Sequence, residues 1–163
     1  ASTGNNYGFN FDLKIKNINN IESYVNFGYL KTKIDSYTYF TDEVTEIEFS
    51  QREAAHAPRY SFSMGLIKHF NNIILNMNIE GKDKFYFSDS HDQISKPYIL
   101  TNFSFDYKLN SSTTITLWSK NLFNKKYSTR GFYFGVEPPA YEDKLYVTYG
   151  DPFTIGLSIN LSY

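Results

Sequence analysis

The sequence predicts an all-β fold, an antiparallel transmembrane β-barrel segment of about seven meander strands. Three observations carry that expectation. The first is the stretch from Asp151 to Tyr163: odd positions from Phe153 to Tyr163 are large and apolar, and even positions from Thr154 to Ser162 are small or polar. A repeat of two gives a strand one oily and one wet face. An aromatic residue at its end suits the ring girdle of a membrane interface. The second is composition. Aromatic residues make up 19% of the chain, yet mean hydropathy is -0.45. No apolar run approaches the ~18 residues of a membrane helix, so lipid-facing surface is present by alternation or not at all. The third is that connections alternate between turns of about three to five residues and loops of roughly ten to twenty-seven, the asymmetry of outer-membrane barrels.

Composition also narrows the function. A length of 163 residues suggests one domain. A net charge of -1 gives no footing for nucleic acid as partner. The absence of cysteine removes disulfides and thiolate metal sites. Ala1-Ser2-Thr3-Gly4 leads straight into a strand pattern, so the expectation is that an export signal has been removed or that the chain is a piece of something longer.

In order, the first strand runs from Tyr7 to Lys16, with Tyr7, Phe9, Phe11, Leu13 and Ile15 against Gly8, Asn10, Asp12, Lys14 and Lys16. All its charges share one face, as lipid outside and water inside require. Asn17-Ile18-Asn19-Asn20 is a turn, since asparagine tolerates the left-handed conformation. The second strand spans Glu22 to Ile34, with Val25, Phe27 and Tyr29 on the oily face. Lys31 and Lys33 continue that parity. They could snorkel towards charged headgroups, but a strand that has already left the membrane is the simpler expectation. Residues 35–57 read as a long polar loop whose alternating piece Val44 to Phe49 forms a projecting hairpin.

Ala57-Pro58-Arg59 opens a third strand, with Tyr60, Phe62, Met64 and Leu66 opposite Ser61, Ser63 and Gly65. After Asn71-Asn72, a fourth carries Ile73, Leu75, Met77 and Ile79 and ends near Phe85-Tyr86-Phe87. The polar loop Ser88 to Pro97 precedes a fifth strand with Ile99, Phe103, Phe105, Tyr107 and Leu109 on one face. The sixth runs from Thr113 to about Leu122, a third long loop fills 124–150, and the closing strand follows. Seven is odd, whereas single-chain bacterial barrels have even numbers, and an unpaired edge in lipid is costly. Either an eighth strand lies in 141–149, closing a small barrel that acts as anchor or adhesin, or the amino-terminal part of the barrel lies elsewhere.

Four segments together carry a family resemblance: HAPRYSFSMG (56–65), FYFSDSH (85–91), LWSKNLFNKKYSTRGFYFG (117–135) and YGDP (149–152) with the strand after it. The chain resembles the carboxyl-terminal part of TonB-dependent outer-membrane receptors, most specifically in its last fifty residues. Phe153 departs from the family, which often has arginine after the proline. The resemblance implies a plugged barrel of 22 strands, of which 1–163 would be the last third, with the plug and earlier strands absent. It implies outer-membrane lipid as surroundings and TonB as partner through the absent amino-terminal region. The transported substrate would be a small molecule or metal chelate of the siderophore-iron, haem, cobalamin or glycan class, with no cofactor.

Side-chain chemistry adds candidates but no catalytic constellation, so an enzyme is not expected. Arg130-Gly131-Phe132-Tyr133-Phe134-Gly135 mixes a forked cation with stacking rings, and Arg130, Phe132 and Tyr133 are the leading candidates for ligand contact. Packing of the loop onto its neighbours is the simpler explanation of the rings. Arg52, His56 and Arg59 sit with Glu53 at the base of the first long loop, as ligand contacts or as an ion-pair cluster holding it. His91 lies in Ser-Asp-Ser-His-Asp, where Asp89, His91 and Asp92 could face a metal but fit a solvated turn better. His69 reads as interfacial. The wet residues Asn10, Asp12, Asn26, Asn102 and Asp106 would line the lumen. Asn121 reads as structural, mid-strand, bonding a neighbouring strand or turn.

Overall fold

A computed structural model describes residues 3–40 and 46–162. Its strands are β1 (Gly4–Ile18), β2 (Ile21–Phe40), β3 (Glu46–Arg52), β4 (Tyr60–Phe70), β5 (Ile73–Lys82), β6 (Tyr98–Lys108), β7 (Thr113–Lys120), β8 (Ser128–Phe134), β9 (Lys144–Tyr149) and β10 (Thr154–Leu161). No helix occurs among the described residues. The main sheet runs β1-β2-β4-β5-β6-β7-β10, every neighbour antiparallel, with β3 paired to β2 off this path. The seven strands of that path are the seven that alternation marks in the sequence. Among the described residues the sheet is open, since β1 pairs only with β2 and β10 only with β7.

Local chemistry accounts for the tight ends. Asn19 and Asn20 both take positive φ (52° and 59°) between the paired Ile18 and Ile21. Two left-handed residues match the twist of the strands they join. Asn71 plays a similar part between Phe70 and Ile73. Pairing then holds the two faces apart across the whole width. On one side Phe11, Phe27 and Phe62 stand opposite one another, as do Leu66, Met77 and Phe103, and Phe105, Leu117 and Leu157. Much of this side is bare: Tyr7 and Phe9 are each 59% exposed and Leu157 66%. The other face carries Asn10, Asp12, Asn26, Ser61, Ser63 and Glu80 around a concavity of 580 Å³.

Four departures from the sequence reading have physical reasons. β2 does not stop at Ile34 but extends to Phe40, because β3 supplies a partner for its far half, with Ile34 opposite Arg52 and Phe40 opposite Glu46. The expected hairpin in 35–57 therefore exists; Val44 and Thr45 of its alternating piece lie outside the described residues, as does the terminal Tyr163. β5 ends at Lys82 rather than at Phe87. Phe85 and Phe87 (each 6% exposed) turn off the sheet and, with Leu100, are its buried hydrophobic residues among those described. β7 ends at Lys120, so Asn121 is in a turn and not mid-strand. Finally, 124–150 holds a hairpin. β9 falls in the 141–149 candidate but pairs with β8 in a separate sheet and does not close the wall.

Glycine matters where rings cross the sheet. Tyr24 lies directly opposite Gly65, and a Cβ there would sit 2.1 Å from the Tyr24 ring. The ring's hydroxyl accepts from Asn78 Nδ2 at 2.7 Å. Gly65→Ala is expected to lift the ring, break that bond and cost about 1–2 kcal/mol. Adding Tyr24→Ala should recover part of the loss, which a double-mutant cycle of unfolding midpoints would read.

Candidate loop cleft

Three connections gather at the end of the sheet opposite its short turns: 53–59, 83–97 and the β8–β9 hairpin. Segment 83–97 is organised by its own backbone, with Ser95 N–H donating to Phe85 O (2.8 Å) and Phe87 N–H to Gln93 O (3.2 Å). Ser95 Oγ accepts from Phe85 N–H at 2.9 Å. The ring of Phe87 lies on Gly131, where a Cβ would be 2.5 Å away, so hairpin and loop meet without a side chain between them. His56 N–H donates to Tyr86 O (2.9 Å) and Ala55 N–H to Asp89 Oδ1 (2.6 Å), tying in the remaining connection.

The result is an open cleft of 380 Å³, lined by His56, Asp89, His91, Arg130, Phe132, Tyr133 and Asp143 among others. That volume lies in the range of small-ligand sites, ~300–1,000 Å³. Five sequence candidates, His56, His91, Arg130, Phe132 and Tyr133, thus meet in one place although they span two loops and a hairpin. A register shift between Ser128 and Arg130 re-aims the strand at Arg130. Among the described residues Arg130 has no ion-pair partner, and it is exposed.

The imidazole of His91 stacks on Tyr133, centroids 3.5 Å apart and planes 7° from parallel. Its Nδ1 lies 3.0 Å from Ser88 Oγ and 3.2 Å from Ser90 Oγ, and its Nε2 3.4 Å from Asp143 Oδ2. Burial and then the charge of Asp92 push the Tyr133 phenol above its ordinary range. It stays protonated and donates to Gln93 Oε1.

Two candidates fall outside the cleft. Arg52 is 10% exposed at its side chain, donates to Asp92 Oδ1 at 2.8 Å and covers the Tyr86 ring at 4.2 Å. Its guanidinium fastens 83–97 to β3. Arg59 donates to Glu53, which raises its pKa through that bond and the attending charge. The cluster at the loop base is therefore an Arg59–Glu53 pair, with Arg52 drawn away to the next loop. Asp89, His91 and Asp92 each face a different partner, and no group of three ligating side chains occurs among the described residues. His69 sits at the short-turn end, 3.4 Å from Glu22. Ser88, Ser90 and Asp143 were not singled out for ligand contact from sequence. The serines carry a local signal in their motif; Asp143 carries none, because only the β8–β9 pairing brings it near His91.

Arg52→Ala is expected to loosen 83–97 without unfolding the wall. Asp92 is mostly exposed, so the ion pair contributes little, and the stack on Tyr86 about 0.5–1 kcal/mol. Limited proteolysis should cut within 83–97 several-fold faster while the global unfolding midpoint moves little.

Asn121 bonds three backbone groups through its side chain. Its Nδ2 donates to Lys125 O and Asp151 O, both 2.9 Å, and its Oδ1 accepts from Lys125 N–H at 2.8 Å. Asn124 Oδ1 accepts from Phe153 N–H at 3.0 Å. The segment NLFNK is a clasp between the end of β7 and the start of β10. Phe153, where arginine is more usual in the resembled family, is 40% exposed.

No protein-family profile matches this sequence. Solved structures do match. The siderophore receptor PiuA of Acinetobacter baumannii superposes on 99% of the chain with a TM-score of 0.84 at 14% identity. The chain carries the barrel-wall fold of siderophore receptors. The ferric yersiniabactin uptake receptor FyuA of Yersinia pestis matches 100% of it (TM-score 0.80, 13% identity), and the ferric-catecholate import receptor Fiu of E. coli K12 98% (0.72, 13%). The chain spans 22%, 24% and 21% of those three proteins. The resemblance drawn from residues 117–135 and the closing strand therefore holds in three dimensions, and these neighbours are uptake receptors rather than enzymes.

Proposed function

We propose that this chain is the carboxyl-terminal wall and external loop portion of a TonB-dependent outer-membrane receptor, one that takes up a scarce solute, with an iron–siderophore complex the leading class. One observation carries the reading: a sheet with a bare apolar side and a wet concave side, matched over 99% of its length by the wall of a siderophore receptor. In the complete protein it would form about seven of 22 strands, with plug and TonB-gripped segment supplied by residues outside 1–163. TonB would deliver energy from the inner membrane. Haem, cobalamin and glycans are the other classes such a receptor could serve. The exposed guanidinium of Arg130 and the rings of Phe132 and Tyr133 suit an anionic, oxygen-rich chelate.

The rival, a closed eight-stranded barrel, needs β1 paired with β10; the open sheet speaks against it. The test is uptake. Cells deleted for the gene should lose energy-dependent import of a labelled ferric chelate, and the native protein should migrate several times heavier than 19.0 kDa. A band near 19.0 kDa, or uptake unchanged across ferric siderophores, haem, cobalamin and glycans, would overturn the proposal.

A further inference from the structure

The outward face of β1, β2 and β4 is graded along its height. From the short turns upward it carries Leu13, Val25 and Met64, then Phe11, Phe27 and Phe62, then Phe9, Tyr29 and Tyr60, then Tyr7 and Lys31, with Lys33 above. Pairing of β1 with β2 is unbroken from Ile15–Ser23 to Gly4–Ile34, so the lysines lie on the same face as Val25, Phe27 and Tyr29. Whether the strand has left the apolar band by Lys31, the simpler expectation from sequence, turns on height and not on pairing. Between Ser23 and Tyr29 that face has no charge.

Height decides what the lysines meet. Ten residues separate Ile21, at the turn, from Lys31. At ~3.3 Å per residue and ~40° of tilt they climb about 25 Å, the thickness of the apolar band of such barrels. Lys31 Nζ lies 5.8 Å from the centroid of the Tyr7 ring, one strand away. Lys33 is exposed, with Asp35 3.9 Å away, a solvated pair that leaves its ammonium largely available.

We infer that Lys31 and Lys33 form a docking site for the phosphates of an anionic lipid of the outer leaflet. The inference rests on the outer-membrane reading above. Charge and position select the occupant: two cations at the rim of an oily face, directly above a row of tyrosines, meet headgroups and not lumen water. The tyrosines hold the interface, and the lysine stems reach past them.

The test uses the full-length native protein in phosphatidylcholine vesicles containing a minor fraction of lipid A. Lipid that co-purifies after mild extraction is quantified by mass spectrometry. Lipid A should be enriched over phosphatidylcholine by about five-fold per lysine, and less so in high salt. The double variant Lys31→Gln/Lys33→Gln should lose most of the enrichment. Lys31→Arg/Lys33→Arg should keep it, as should Lys14→Gln/Lys16→Gln, whose lysines lie on the wet face. Enrichment that survives the glutamine pair, or that millimolar inorganic phosphate abolishes, would overturn the proposal. Insertion without any enrichment would overturn it alone, whereas failure to insert in either lipid would bring down the outer-membrane reading with it.

Discussion

Asn121→Ala is expected to cost about 3–5 kcal/mol of wall stability, the largest loss from any single polar side chain here. Asn121 is 3% exposed, although its partners Lys125 and Asp151 are exposed residues. Its amide closes the carbonyls of Lys125 and Asp151 and the N–H of Lys125, and each such bond contributes about 0.5–1.5 kcal/mol. Asn121 also holds φ at 47°, which adds about 1 kcal/mol for a residue with a plain Cβ. Two comparisons separate bonding from shape. Asn121→Asp keeps the acceptor for Lys125 N–H but turns an oxygen towards two carbonyls, so it should be at least as damaging as alanine. Asn121→Gly relieves the backbone and loses the bonds, so it should fall slightly short of alanine. The readout is the urea midpoint of the native protein folded in detergent, followed by the heat-modifiable band. An alanine variant within 0.5 kcal/mol of the parent would show that the clasp does not hold β10.

The wall was legible in the sequence because alternation is a property of each strand by itself. Phe9 and Asn10, or Leu157 and Ser158, declare opposite faces before any partner is known. What was not legible lies where partners decide. β2 beyond Ile34 has Lys33 and Asp35 on one face and Ile34 on the other, a pattern that looks like a loop until β3 pairs with it. Lys31 and Lys33 break the oily pattern in sequence yet keep the register in space. The cleft was half legible: His56, His91 and Arg130 are conspicuous residue types, and they do converge. Arg52 is just as conspicuous, and it is spent on Asp92 and Tyr86. A side chain's type announces what it can bind, but only tertiary contacts say whether it is already engaged.

Met77→Arg and Asn76→Arg should have opposite consequences, although they are neighbours in β5. Met77 stands between Leu66 and Phe103 on the apolar side and is 40% exposed. Asn76 faces the wet groove beside Ser104 and Trp118. If the apolar side meets lipid, arginine at Met77, near mid-height of the wall, must bury its charge in hydrocarbon at a cost of about 2–4 kcal/mol. Arginine at Asn76 enters water and should cost under about 1 kcal/mol. In a soluble sheet the order would not hold: an exposed methionine on a water-facing surface tolerates arginine, and removing apolar surface from solvent would help solubility. The measurement is the folding free energy of the native protein in vesicles, with the same pair repeated in thinner bilayers. Moving the substitution to Tyr60, nearer the rim, should reduce the penalty towards zero, because the cost falls with distance from the midplane. Equal tolerance at positions 76 and 77 would mean that the bare face is not lipid-facing, and the assignment of the two sides of the wall would have to be reversed or abandoned.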